Sequence, residues 1–468
     1  MRAVGHDRGG ANSRCPRGSV VLHSRRQSRP GVSGGHVKFV WFHLMPYPDL
    51  PKDFPDRYRS VWVDIDPSLF DPAVGHRVYN EYIDQLEYAA SVGFDGVGIN
   101  EHHSNAYGLM PSPNIIAATL ARSTSDAAIV VLGDSVALYN PPIRVAEEMA
   151  MLDGISGGRL VAGFPVGSPM DTVFAYGTNP ATLRERYHEG MDLIRQAWTS
   201  DEVFSFNGRY NKLRYVNVWP RPVQKPHPPI WIPGGGSVDT WDYCAANDLV
   251  YCYLSYFGYK AGLATMRGFW DKMVERGKPL NPFQGAFAQF VAVADSEKEA
   301  FELYREPAEY FFNSCLHVYA GFADPPGYKT PNTVRAGVEG MVERAAREAT
   351  ARAEAKAAAK DNDKPTMPKS SSASQMMSFE TMVEKGYVVL GSPDQVISKL
   401  TEVGTSMNVG HLLTLAHFGN MDKELVRYNT EMLARKVLPE VQPLFENDWE
   451  DHWWPHPLPS AQRVEPAR

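Results

Sequence analysis

Short apolar runs alternate with longer stretches of helical period along most of this chain. The run from Val37 to Leu44 reads as a first strand, and Phe94 to Ile99, opened by Gly93 and closed by polar residues, as a second. Between them Val78, Tyr79, Tyr82, Ile83, Leu86, Ala89 and Ala90 recur at helical spacing and stop at Gly93, which predicts a helix with one buried face. Pro113 opens another helix through Ile116 and Leu120, and residues 128–137 make a third apolar strand. Asn140 as N-cap and Pro141 at the first helical position start the next helix, with Val145, Met149 and Leu152 on one face as far as Gly154 and the Ser156-Gly157-Gly158 turn.

The alternation continues. Arg159 to Phe164 is strand four, and Pro180 begins a helix carrying Leu183, Tyr187, Met191, Ile194 and Trp198. Residues 200–228 depart from the repeat with a hairpin at Asn207-Gly208, a strong turn signal between β-rich runs. Strand five is Pro229 to Pro233, strand six Leu249 to Leu254, strand seven Ala286 to Ala294 with Ser296 capping the helix after it, and strand eight His411 to Ala416. Eight strands alternating with helices predict a closed α/β architecture, a (β/α)8 TIM barrel with insertions, rather than an open sheet.

Two stretches lack the apolar residues to join a core. The first 36 residues hold seven arginines and a single acid, Asp7, and residues 341–378 are rich in Ala, Lys, Arg and Glu, then in Lys, Pro and Ser. Neither offsets its own ordering entropy. The expected organisation is a disordered N-terminal extension over 1–36, a barrel over 37–445 that carries a mobile insertion at 324–380, and a C-terminal tail over 446–468. The barrel resumes after the insertion with a capping box, Ser392 at the N-cap, Pro393 after it and Gln395 at N3.

Charge narrows the partners. With a net charge of −7 there is no basic field for nucleic acid or an anionic membrane, so the expected partner is a small molecule. Cys15, Cys244, Cys252 and Cys315 show no C-x-x-C spacing, and no apolar stretch has the length of a transmembrane span. A cytoplasmic location is expected. The Arg- and Ser-rich start also fits a transit peptide but lacks an amphipathic stripe, and a mis-assigned start codon is the preferred reading.

The chemistry-bearing residues gather at strand ends. Glu101, His102 and His103 follow the second strand, at the barrel face where loops build active sites, although a capping or solvated histidine would read the same. Gly234-Gly235-Gly236-Ser237 follows strand five and opens a helix, so its backbone N–H groups and the helix dipole suit a phosphate; a plain strand-to-helix turn is the competing reading. Gly163 to Ser168 could line the same site. Trp41, Phe42, Met45, Tyr107, Met110 and Phe290 could wall an apolar pocket or simply be core. No metal is expected, because the first strand offers only His43 and the adjacent His102 and His103 cannot easily share an ion.

Several of these motifs together resemble the bacterial luciferase-like flavin monooxygenases. The resemblance rests on the Gly-Phe-Asp strand ending in Glu101-His102-His103, on Asn140-Pro141-Pro142-Ile143-Arg144 with Glu147, Met149, Leu152 and Asp153, on Ser156-Gly157-Gly158-Arg159-Leu160, on Gly391-Ser392-Pro393 and on Val437-Leu438-Pro439. It covers about 37–445 without 324–380 and implies a (β/α)8 barrel that takes reduced FMN from a separate flavin reductase, lets it react with O2 and oxygenates a small organic substrate. By the same resemblance His102 would act as general base or stabilise the oxygen adduct, supported by Glu101 and His103. Gly235, Gly236, Ser237 and Val238 would hold the phosphate and Gly133, Asp134 and Ser135 would back the isoalloxazine. Luciferase proper has an arginine after strand four for the phosphate, whereas Phe164-Pro165-Val166-Gly167-Ser168 here has none. A deazaflavin-dependent dehydrogenase and a flavin-binding protein without turnover are the alternatives within the fold, and a homo-oligomer, dimer or higher, is expected.

Overall fold

The computed structural model describes residues 35–338 and 376–464, apart from 255 and 447. Most of the extension 1–36 and most of the stretch 341–378 lie outside those residues.

The strands are β1 (Lys38–Phe42), β2 (Gly96–Ile99), β3 (Ala128–Leu132), β4 (Leu160–Gly163), β5 (Phe204–Asn207), β6 (Lys212–Val216), β7 (Ile230–Gly234), β8 (Val250–Tyr253), β9 (Gly285–Val293), β10 (Val388–Gly391) and β11 (His411–Leu415). Leaving out the β5–β6 hairpin and β10, the other eight pair in parallel in the order β1-β2-β3-β4-β7-β8-β9-β11, and β11 returns to β1. This is the closed (β/α)8 barrel that the sequence pattern predicts. Every residue of β2, β3 and β4 is buried, as expected for strands covered by helices outside and by side chains within.

Three local readings are corrected. The helix predicted from Pro141 starts at Ile143, with Pro142 at its N-cap and no side chain capping it. Pro141 precedes another proline, which disfavours helical backbone there, so the helix begins two residues late. Strand three ends at Leu132, because Gly133 to Ser135 leave the ladder and Val136–Leu138 forms a 3-10 turn. A ninth parallel strand, β10, escaped the pattern. β9 spans nine residues, long enough to pair with β11 through Ala286–Phe290 and then with β10 through Phe290–Val293.

Caps that depend only on local chemistry stand where the sequence puts them. Ser392 accepts from the Gln395 amide while the Gln395 side chain accepts from the Ser392 amide, and Ser296 accepts from the Glu299 amide. The end of the chain packs beneath the barrel: Trp231 Nε1 donates to the Trp453 carbonyl at 3.2 Å, and Trp454 stacks on His411. Gly35 N donates to the Trp449 carbonyl at 2.9 Å. Among the described residues no helix is long and apolar enough to cross a membrane.

Candidate active site

β2 lies between β1 and β3 and delivers Asn100, Glu101, His102 and His103 to the C-terminal face. Glu101 is buried and fully engaged: Oε2 accepts from Ser135 N at 2.6 Å, and Oε1 meets Tyr139 Oη and His103 Nε2, each at 3.0 Å. His103 is thereby locked against Glu101 and turned from the open space, with Tyr176 Oη 3.4 Å from its other nitrogen.

His102 is held differently. Its Nδ1 is 2.9 Å from Oδ2 of Asp171, and its ring stands edge-on to Trp62 and Tyr107. A carboxylate only accepts, so Nδ1 carries a proton, and in the neutral ring the lone pair is on Nε2. Asp171, on the short helix Met170–Ala175 after β4, also accepts from His103 N at 2.8 Å, Trp62 Nε1 at 3.0 Å and Ser168 Oγ at 2.8 Å. Burial opposes its charge, but the His102 ring and these donors outweigh it and hold the carboxyl below its ordinary value.

A cavity of about 360 Å³ joins this cluster to the glycine loop. Asn100, Glu101, His102, Leu132 and Ser135 line it together with Pro165 to Pro169 and with Gly234 to Ser237, Arg184 and Thr240. Of the residues expected at the site, His103, Gly133, Asp134 and Val238 do not line it. Gly133 serves the backbone instead: a Cβ there would fall 1.9 Å from the Gly163 carbonyl oxygen, and Asp134 N bonds that same oxygen at 3.1 Å. Asp134 is fully buried, bound by Asn114 at 2.9 Å and Tyr139 at 3.3 Å. Burial, with the nearby Glu101 carboxylate, pushes its pKa up to about 8, so it keeps its proton at neutral pH. The six aromatic and apolar candidates for a pocket wall are all buried in the core and none lines the cavity.

Gly236 sits at φ +104° and Ser237 is the N-cap of the helix Val238–Asn247. Arg184, in the first turn of the helix Leu183–Thr199, reaches Ser237 Oγ at 3.0 Å, and its buried Nε has no partner among the described residues. The cation absent from the loop after β4 thus comes from the following helix. The segment after helix Ala320–Ala323 meets the same cavity lining: Tyr328 Oη donates to the Gly167 carbonyl at 2.6 Å, and Thr333 Oγ1 lies 3.1 Å from Ser237 Oγ. A helix N-terminus, close-approaching glycines, two hydroxyls and an arginine with an unused donor fit a phosphate.

A family model described as luciferase-like monooxygenase matches residues 65–407. The chain belongs to this family. Among luciferase-like relatives it is 30% identical over 238 residues to the oxygenase component of the flavin-dependent trigonelline monooxygenase of Acinetobacter baylyi, covering 49% of this chain and 63% of that one. It is 30% identical over 168 residues to the F420-dependent glucose-6-phosphate dehydrogenase of Amycolatopsis mediterranei, covering 33% of this chain and 48% of that protein. The chain thus spans about half to two thirds of the length of these curated relatives. Its fold superposes, at a TM-score of 0.60 and 18% identity, on the oxygenating constituent of 3,6-diketocamphane monooxygenase from Pseudomonas putida in complex with FMN, covering 87% of this chain and 99% of that one. At that identity the likeness concerns the fold alone.

Proposed function

We propose that this protein is the oxygenase of a two-component system, binding reduced FMN delivered by a separate reductase and oxygenating a small organic substrate with O2. The observation that carries the reading is a single cavity lined both by His102, whose Nε2 has no hydrogen-bond partner among the described residues, and by an anion seat at Gly235, Gly236, Ser237 and Arg184. When bound, reduced flavin supplies the electrons for dioxygen. The chain's own part is to seat the phosphate at the helix start and to present His102 Nε2 to the cavity as a general base. Glu101, pinned by Ser135 N, Tyr139 and His103, keeps the loop after β2 in place. The apolar lining of Leu132, Val166 and Leu254 excludes water from the ring faces. The name of the trigonelline relative supports the flavin-dependent class.

The F420-dependent relative favours a second reading, hydride transfer with a deazaflavin on the same site. Anaerobic titration with reduced FMN and with reduced F420, followed by an air pulse, separates the two. The oxygenase reading requires tight binding of reduced FMN and its reoxidation only after air. Binding of F420 alone, with turnover under nitrogen, would replace it. Self-association is proposed on the exposed Ile115, Met151 and Ile155 of the adjoining helices Pro113–Ser123 and Ile143–Ser156, and light scattering checks it.

A further inference from the structure

We infer that Asn100 reads the pyrimidine edge of the bound isoalloxazine ring. The inference rests on the flavin-type reading above, although FMN and a deazaflavin present the same edge. Asn100 directly follows β2, lines the cavity and is only 2% exposed, yet among the described residues neither its Oδ1 nor its Nδ2 makes a hydrogen bond of good geometry. A buried amide with both atoms unpaired is costly, and native structures rarely leave one without a role.

Most protein groups around it are engaged with one another. The Tyr107 and Tyr256 hydroxyls bond each other, Ser168 Oγ bonds Asp171, and both Glu101 oxygens are taken. Tyr107 is the protein group nearest to competing for the amide: Asn100 pulls its hydroxyl toward the ionised form, although no hydrogen bond of good geometry joins the two. With no well-formed protein bond to either atom, the amide is available to a partner in the cavity it lines.

Its chemistry is specified by the side chain. A carboxamide offers one acceptor and one donor side by side in a plane, so its complement is a planar edge with a donor next to an acceptor. The pyrimidine ring of a flavin is such an edge, with N3–H flanked by the O2 and O4 carbonyls. The cavity agrees with such a ligand. The anion seat at Ser237 and Arg184 opens on the same cavity from elements other than β2, and Leu132, Val166 and Leu254 add apolar surface to the lining.

The test is a binding titration of the full chain with oxidised FMN and with N3-methyl-FMN, which lacks the donor. It is paired with the infrared carbonyl stretches of FMN carrying 13C at C2 or C4. The wild type should prefer FMN by about tenfold or more. Asn100→Ala should weaken FMN by a similar factor, bind the two ligands about equally, and shift one carbonyl stretch upward. Asn100→Ser should fall between, and circular dichroism checks that both variants fold. If the wild type binds FMN and N3-methyl-FMN equally, or if Asn100→Ala keeps the preference and the carbonyl frequencies, the assignment is overturned. If the wild type binds neither FMN nor F420, the flavin reading itself fails and the assignment falls with it.

Discussion

His102 and Asp171 stand 69 positions apart and meet at 2.9 Å, Nδ1 to Oδ2. The contact sets which nitrogen of His102 keeps its proton, because a carboxylate can only accept. Asp171→Asn keeps the shape but offers an amide that can donate to Nδ1 and move the proton to Nε2. Substrate-coupled oxygen consumption should fall by about 10–100-fold, as for other groups that orient a reacting side chain. His102→Ala should lower it by about 10²–10⁴-fold. FMN affinity should stay near the wild-type value in both. The double variant should be no worse than His102→Ala if Asp171 acts through His102, and a further multiplicative loss would show an independent role for Asp171.

The anion seat makes a contrast between ligands. Gly236→Asp puts a carboxylate, and a Cβ at φ +104°, where a dianion would sit, so FMN affinity should collapse while riboflavin, which has no phosphate, is much less affected. Arg184→Met should cost FMN about 2 kcal/mol or more, as for a buried charged pair that loses one partner, and Ser237→Ala about 0.5–2 kcal/mol. Equal weakening of riboflavin and FMN would make the loop a structural turn.

Gly133 carries a stability prediction rather than a ligand one. Its Cβ would fall 1.9 Å from a backbone oxygen of Gly163, and that atom cannot swing aside as a side chain tip can. Gly133→Ala should destabilise by about 1–3 kcal/mol or more, read from denaturant midpoints. A variant within 0.5 kcal/mol of wild type, the usual range for harmless surface changes, would mean that the β3 and β4 ends separate easily.

A pair of buried histidines sets an acid limit. His43 follows β1 and His417 follows β11, with ring centroids 4.6 Å apart beside Tyr82. Burial holds His43 well below its ordinary value, with repulsion from His417 adding to it, and burial takes His417 down to about 3, the Met421 backbone offsetting only part. Below the unfolded value of 6.5 the unfolded chain takes up protons that the folded one refuses. Their contribution is therefore complete above pH 6.5 and is lost as pH falls toward 3, by up to about 1.4 kcal/mol per pH unit for each ring. Apart from the weak approach of the Met421 backbone, neither ring nitrogen of His417 makes a well-formed hydrogen bond among the described residues, so His417→Phe should cost little at pH 7 and lose stability more gently between pH 6 and 5. Parallel stability curves for the two proteins would refute this.

Much of the barrel is readable from the chain because parallel strands buried on both faces must be short apolar runs, and the ends of β2 and β7 carry their polar residues in plain view. Elements whose logic is long-range are not readable in that way. Asp171 lies in an ordinary polar loop, Ser168-Pro-Met-Asp171, and nothing near it in sequence points to a histidine after β2. Arg184 resembles any arginine in Leu183-Arg-Glu-Arg186 until the helix is rotated so that Leu183 and Tyr187 are buried. The large residues Trp41 and Phe290 were open to two readings because size and polarity are the same in a core as in a pocket wall, and only packing places them in the core.

Beneath the barrel, where Gly35 N meets the Trp449 carbonyl, the start of the described chain lies beside the segment that leads into its last residues, on the face away from the cavity. Joining the two ends through a linker, and opening the chain between Lys278 and Pro279 in the exposed turn after the helix Gly258–Glu275, would reorder the polypeptide without displacing a strand. In such a circular permutant, β9 and β11 would be made first and β1 would follow them directly. The strand pair that seals the barrel in the present order would then become a neighbour in sequence, and closure would move to the contact between β8 and β9.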